Sequence, residues 1–277
     1  MNNQRIRVRS SSGPYCFLKQ YRRTRSIFSA LACAIVLVSC GGGGEGSAES
    51  IGFSAAPGAP PQTTVLITGA ATKGPIRGAS VALFAMNEFG FAQGAALATT
   101  TTDGTGNFSV SLPTGTGLVL VETRGGSFID ESDQEPNPAL KRQLSLTAAQ
   151  GFLSVLPAGA TTVAITPFTQ ALLEKVRLES QAGGFSTRFA TSAAAFNAII
   201  GFDVLTTIPA NPLLSAANTS ANSGQYALLL GGIANVINNT SIQLNSATPT
   251  FEIINAVIRD LTDGTIDGKR FNAPVSL

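Results

Sequence analysis

The sequence predicts an α+β fold, with an antiparallel β-sandwich over residues 63–165 and a helical region over 166–277. Two observations carry this. Between Thr63 and Ile165, short runs rich in Val, Leu, Phe and Thr alternate with Gly, Pro, Asn and Asp clusters at intervals of about 8–12 residues, the pattern of a small sandwich. After Ile165 the apolar spacing lengthens to that of a helix face, about 3.6 residues. A third observation sets residues 1–62 apart from both: they read as an export leader and a tether.

Residues 1–39 hold no acidic residue and begin with Arg5, Arg7 and Arg9, followed by Lys19, Arg22, Arg23 and Arg25. A twelve-residue apolar run, Ile27 to Val38, comes next and ends at Ser39-Cys40. A basic start, a short apolar core and small residues at its end make a secretory signal. The run is too short to span a bilayer, which takes about 20 residues. Gly41 to Gln62 is mostly Gly, Ser, Ala and Pro, with two Glu and only Ile51 and Phe53 as large apolar residues. Such a composition buries too little apolar surface to order itself, so 40–62 reads as a tether.

The sandwich strands are placed at Val65–Ile67, Ser80–Met86, Ala96–Thr101, Phe108–Leu112, Leu118–Val121 and Thr161–Ile165. Ser80–Phe84 and Asn107–Leu112 alternate with period two, as half-buried strands do. Lys73-Gly74-Pro75, Asn87–Gly90, Asp103–Gly106 and Pro113–Gly117 supply the turns.

The helical region opens at Thr166-Pro167, an N-cap followed by proline at the first helical position, with Phe168, Leu172 and Val176 on one face. Phe185, Phe189, Phe196 and Ile199/Ile200 mark a second helix ending at Gly201. Tyr226, Leu229, Leu230, Ile233, Val236 and Ile237 mark a third, and Thr248-Pro249 begins a fourth through Phe251, Ile254, Val257, Ile258 and Leu261. Ile208–Ser223, with Pro209 and Pro212, is a loop.

Two resemblances follow from these residues. Leu37-Val38-Ser39-Cys40 resembles the bacterial lipobox, which implies lipidation of Cys40 by acyl chains such as palmitate and makes 1–39 a lipoprotein signal peptide. Gly41 in place of Asp implies sorting to the outer membrane. Gly69–Phe84, with Gly78-Ala79-Ser80-Val81-Ala82-Leu83, and Thr102-Asp103-Gly104-Thr105-Gly106-Asn107-Phe108 resemble the "G-A-x-V-x-L" strand and "T-D-x-x-G-x-F" hairpin of the carboxypeptidase-regulatory-like domain. That family is a prealbumin-like (transthyretin-like) sandwich of bacterial surface lipoproteins, grouped by fold with carbohydrate-binding-like domains. The resemblance implies a non-catalytic structural or binding module. In the hairpin, Asp103 caps the turn, Gly106 takes positive φ and Phe108 enters the core.

The chain of 277 residues carries 18 Lys+Arg, 16 Asp+Glu and no His or Trp. Seven basic residues and all three cysteines lie within the first 40 residues, so the remainder holds 11 basic against 16 acidic residues, a net −5. Cys40 would be the only thiol left after cleavage, so nothing in the mature chain can form a disulfide within it. The lack of His removes Ser–His–Asp and Cys–His chemistry. Gly-x-Ser-x-Gly, Ser-x-x-Lys and Walker motifs are missing as well. No enzyme and no cofactor is therefore expected. A net negative mature chain repels phosphates, which argues against nucleic acid. The expected partners are the membrane, through the lipid, and an envelope protein or glycan; the absence of Trp weighs against sugar. Asp260, Asp263 and Asp267 form a candidate calcium site of oxygen ligands, although their spacing of 1, 4, 8 departs from that of an EF-hand loop. The acidic run Asp130–Glu135, followed by Pro136 and Pro138, reads as an exposed loop.

Overall fold

The computed structural model describes residues 63–275 apart from 132, 134, 138, 212, 214–220, 242–248, 264, 266 and 271. The leader, Cys40 and the tether lie outside the described residues. The architecture is α+β, with mainly antiparallel sheets followed by four helices.

Strand β1 (Thr64–Ala71) is followed by β2 (Ser80–Met86), β3 (Ala92–Thr101), β4 (Asn107–Pro113) and β5 (Val119–Arg124). A short ribbon of β6 (Ser127–Ile129) and β7 (Gln143–Ser145) precedes β8 (Leu153–Leu156) and β9 (Thr162–Ile165). One sheet has the order β4-β1-β9 and the other β3-β2-β5-β8. Their inward residues, including Ile67, Phe108, Leu112 and Val163 from the first and Val81, Leu83, Val119, Val121 and Val155 from the second, belong to one apolar core. The sequence expectation of an antiparallel arrangement needs one correction. β9 runs parallel to β1, with Thr68 opposite Thr162 and Ala71 opposite Ile165. The turn around Pro157–Ala160 carries the chain out of the second sheet and into the first, and β9 then reaches the open side of β1 already pointing the same way. The β6–β7 ribbon and β8 have no counterpart in the sequence reading, because three- and four-residue strands are too short to display a period.

Helix α1 (Pro167–Glu179) starts directly from β9. The Thr166 hydroxyl accepts the backbone N–H of Thr169 at 3.2 Å, and the Thr169 hydroxyl accepts the backbone N–H of Thr166 at 2.9 Å, a reciprocal capping box. Phe168, Leu172, Leu173 and Val176 then turn into the core. Helix α2 (Phe185–Ile200) ends at Gly201, where φ of 96° closes the last turn. Helix α3 (Asn222–Ser241) seats Tyr226, Leu230, Ile233 and Ile237, and α4 (Pro249–Asp260) seats Ile253, Ile254 and Ile258. Strand and helix residues thus share a single cluster. The region read as helical also carries a closing hairpin, β10 (Lys269–Arg270) with β11 (Ala273–Pro274).

Tyr226 joins the two halves of the core and is fully buried. Its hydroxyl lies 2.5 Å from the Thr166 hydroxyl and donates to the Val204 carbonyl at 3.2 Å. Since the phenol proton goes to Val204, Thr166 is the donor in the shorter bond. Burial pushes the phenol well above its ordinary pKa. Phe168 and Phe202 pack on its ring at centroid distances of 5.8 and 4.9 Å. Replacing Tyr226 with Phe keeps the packing but strands the Thr166 hydroxyl and the Val204 carbonyl. It should cost about 1–2 kcal/mol, seen as a lower urea midpoint at unchanged slope.

Candidate functional site

Two chemically distinctive places emerge beside the β1–β4 region. The first is a groove of about 470 Å³ at the corner where β3 turns into β4. Thr68, Thr100, Thr101, Asn107 and Ser109 line it with hydroxyl and amide groups, and Asp103 supplies its carboxylate; Ile208 contributes an apolar wall. The hairpin builds this corner from its own sequence. Asp103 Oδ1 accepts from the backbone N–H groups of Thr105 and Asn107 at 2.8 and 2.9 Å and from the Thr105 hydroxyl at 2.7 Å. The Thr105 hydroxyl bond is the main cause that holds the Asp103 carboxyl below the usual carboxylate range. Gly106 has φ of 81°, and a Cβ there would stand 2.7 Å from the Ala71 carbonyl oxygen. Phe108 is buried against Gly69, where a Cβ would stand 2.4 Å from the ring.

The second is a buried ion pair at the turn between β1 and β2. Lys73 Nζ donates to Glu131 Oε2 at 2.6 Å, and each side chain is only 1% exposed. The Phe128 ring centroid lies 5.8 Å from the ammonium. Gly74, at φ of 72°, lets this turn press against the Ile129 carbonyl, which a Cβ would meet at 2.2 Å. Burial pushes the Glu131 carboxyl up from 4.5 to about 7 against the opposing pull of Lys73. Its second oxygen, Oε1, is buried without a hydrogen bond.

The acidic run therefore departs from its sequence expectation. Asp130 is buried and bonds the Arg142 guanidinium. The Asp133 carboxylate accepts the backbone N–H groups of Arg142 and Glu135, and the Lys141 ammonium donates to the Asp133 carbonyl at 2.7 Å. Bonding to the Arg142 N–H is the main cause that holds the Asp133 carboxyl below its ordinary range. The run folds back on residues 141–142 because those three cations lie within reach, two from β7's approach and one from the β1–β2 turn.

The three aspartates proposed for calcium are each engaged in turns. Asp260 is buried, and its carboxylate accepts the backbone N–H groups of Lys269, Gly268 and Asp267 at 3.0, 3.2 and 3.4 Å. Asp263 Oδ1 accepts from the Thr265 N–H and hydroxyl at 3.1 and 2.8 Å. Asp267 Oδ1 accepts from the Lys269 N–H at 2.9 Å. Among the described residues no three His, Cys, Asp or Glu side chains are grouped so that they could hold a metal ion. Cys40, the lipidation candidate, lies outside the described residues. No described helix is long and apolar enough to cross a membrane.

The sequence pointed to Asp103, Asn107 and Phe108, but not to Thr100 and Ser109 beside them on the same hairpin, nor to Thr68 and Ile208, which join them from distant segments. The outward phase of Asn107–Leu112 marks Ser109 as accessible, and that signal was available. For Lys73 the signal was a single charge standing between Ala70-Ala71 and Pro75-Ile76. No protein-family model, curated protein or solved structure matches the chain.

The ion pair yields a thermodynamic prediction. Lys73→Met alone leaves Glu131 buried without a partner and should cost about 3–5 kcal/mol, while Lys73→Met with Glu131→Leu should recover most of that loss; chemical denaturation of the four-member cycle measures it. Because the folded-state pKa of Glu131 is raised, its contribution is full below about pH 4.5 and is lost as pH rises to about 7. The wild type should lose stability across that window relative to Glu131→Gln.

Proposed function

We propose that this chain is a lipid-anchored, non-catalytic binding module of the bacterial cell envelope. In this reading Cys40 carries the acyl chains, residues 41–62 are the spacer and residues 63–165 form a prealbumin-like sandwich. Sorting by Gly41 directs it to the outer membrane. The observation that supports this best is the behaviour of the Thr102–Phe108 hairpin. Asp103 closes the turn with three hydrogen bonds, Gly106 takes positive φ and Phe108 is buried. These are the jobs the carboxypeptidase-regulatory-like motif requires of them. The companion strand agrees, since Val81 and Leu83 of β2 are both fully buried. The hairpin also shapes the groove, which gives the module a binding face made of its most motif-like segment.

A carbohydrate ligand is the second reading, favoured by the groove's lining. Four hydroxyls, one amide and one carboxylate match the hydrogen-bonding needs of a polyhydroxylated, uncharged ligand. Thin aromatic support argues the other way: among the described residues the exposed phenylalanines are Phe89 and Phe91, on the β2–β3 turn and not in the groove.

Two acyl chains bind a membrane far more firmly than one. Cys40→Ala should therefore abolish incorporation of labelled palmitate and move the protein from the membrane to the soluble fraction. Retention of both label and membrane association would overturn the anchor. For the groove, Ser109→Arg should weaken capture of the envelope component that crosslinks to the wild type, or glycan-array binding where a glycan is the ligand. Undiminished capture would remove the groove as the binding face.

A further inference from the structure

Lys73 and Glu131 form a poorly satisfied pair as well as a buried one. An ammonium carries three N–H donors and a carboxylate two acceptor oxygens. Among the described residues Glu131 Oε2, at 2.6 Å, is the only acceptor bonded to Lys73 Nζ, and Oε1 is buried with no hydrogen bond. The Phe128 ring, 5.8 Å from the ammonium, offers no acceptor oxygen. Asp130, the neighbouring buried carboxylate, bonds the Arg142 guanidinium. Two ions are thus held out of water on a single hydrogen bond.

Chemistry offers this pair an exit. Along the 2.6 Å bond the ammonium can pass one proton to Oε2, which leaves an amine, a carboxylic acid and no charge to bury. Burial already favours the acid form of Glu131, against the pull of Lys73. A lysine amine in a dry, apolar site is a competent nucleophile. The carboxyl carbon stands one bond behind Oε2, so Nζ lies within about 4 Å of it, near the ~3–3.5 Å of a near-attack pair. Both backbones are fixed there: a Cβ on Gly74 would stand 2.2 Å from the Ile129 carbonyl oxygen. Partners held in this way react with effective molarities of about 10⁵–10⁸ M, and the site keeps out the water that drives the reverse reaction.

We infer that Lys73 and Glu131 condense within the folded chain to an intramolecular amide. The amine lone pair adds to Glu131 Cδ, the Cδ–Oε2 bond breaks, and Oε2 leaves as water with a second proton from the nitrogen. The product is an Nζ–H joined to a Cδ=Oε1 carbonyl, and no oxidant, cofactor or co-reactant is consumed. Three donors and two acceptors fall to one of each. The orphaned Oε1 becomes a neutral carbonyl oxygen, which costs less to leave unbonded than a carboxylate oxygen does. The bond ties the β1–β2 turn to the segment after β6, 58 residues away. It is a covalent clasp in a chain with no cysteine beyond residue 40.

Peptide mapping of the full chain by mass spectrometry tests this. An acylated Lys73 resists trypsin, and an amidated Glu131 resists a glutamate-specific protease. Digestion with both should therefore release one branched fragment, 50–77 joined to 125–141, lighter than the two together by one water. The branch should accumulate until it is the main form during incubation of folded chain, and should not grow in urea. Lys73→Arg keeps the positive charge but has no nucleophilic amine, and should give no branch. The pH response of the ion pair described above belongs to freshly folded chain. It should fade as the branch accumulates, while the thermal midpoint rises. Wild-type chain that stays natively folded through the incubation and yields only separate fragments would overturn the inference. So would equal branching in urea, or a branch of the same mass deficit in Lys73→Arg.

Discussion

The structure depends on the handover at Thr166, where the last strand becomes the first helix. Its hydroxyl serves two masters, accepting the Thr169 N–H that caps α1 and donating to Tyr226 of α3. The Tyr226 hydroxyl in turn holds the Val204 carbonyl. Two residues further back along this segment, the Ala164 N–H donates to the Leu205 carbonyl at 2.7 Å. One short stretch therefore fixes β9, the start of α1, the 202–207 connection and the seat of α3. A chain with no cysteine pair beyond residue 40 has to obtain such fixity from buried hydrogen bonds and apolar area. Burying a phenol without partners would be costly, so this bond set also specifies which ring can occupy the centre.

Charge is used in the same economical way at the other end of the sheets. Lys73 and Asp130 are buried and Glu131 is nearly so, and they lie in loops where a purely apolar contact would have sufficed. Buried pairs are weak contributors to net stability but strongly penalise the wrong partner. The turn after β1 has to find the segment after β6, some 58 residues later. The Lys73–Glu131 pair leaves both charges uncompensated unless that contact is made. The unbonded Oε1 of Glu131 and its raised carboxyl show the strain that this specificity carries.

Legibility in the sequence followed locality. The hairpin at Asp103 and the cap at Thr166 were readable because donor, acceptor and glycine lie within five residues, and both perform as their spacing implies. The starts of α1 and α4 at Pro167 and Pro249 were readable for the same reason. The parallel pairing of β9 with β1 was not, because it depends on which sheet edge is vacant after β8 is laid down. Asp130 and Glu131 look like solvent-facing charges until Lys73 and Arg142 arrive from 58 and 12 positions away. The groove sits between these cases: its Asp103 corner is local, and its walls are assembled by register, Thr68 opposite Ser109 on β1 and β4.

The sheet edges explain where the groove lies. Helix α1 packs on β8, and the Leu205 carbonyl takes an N–H on β9, so two of the four edges of the two main sheets are covered by the helical half. On β3 the pairing with β2 slips between Ala98 and Gln93, with Gly94 at φ of 74°. Such a bulge twists an edge away from a flat template. The remaining edge, β4, packs beside β3 of its own chain at the Asp103 corner. Strand addition is thus discouraged on both of these sheets, although β3 is uncharged and mostly exposed. Between the two uncovered edges lies the groove. The helical half that completes the core therefore also decides where another molecule can approach.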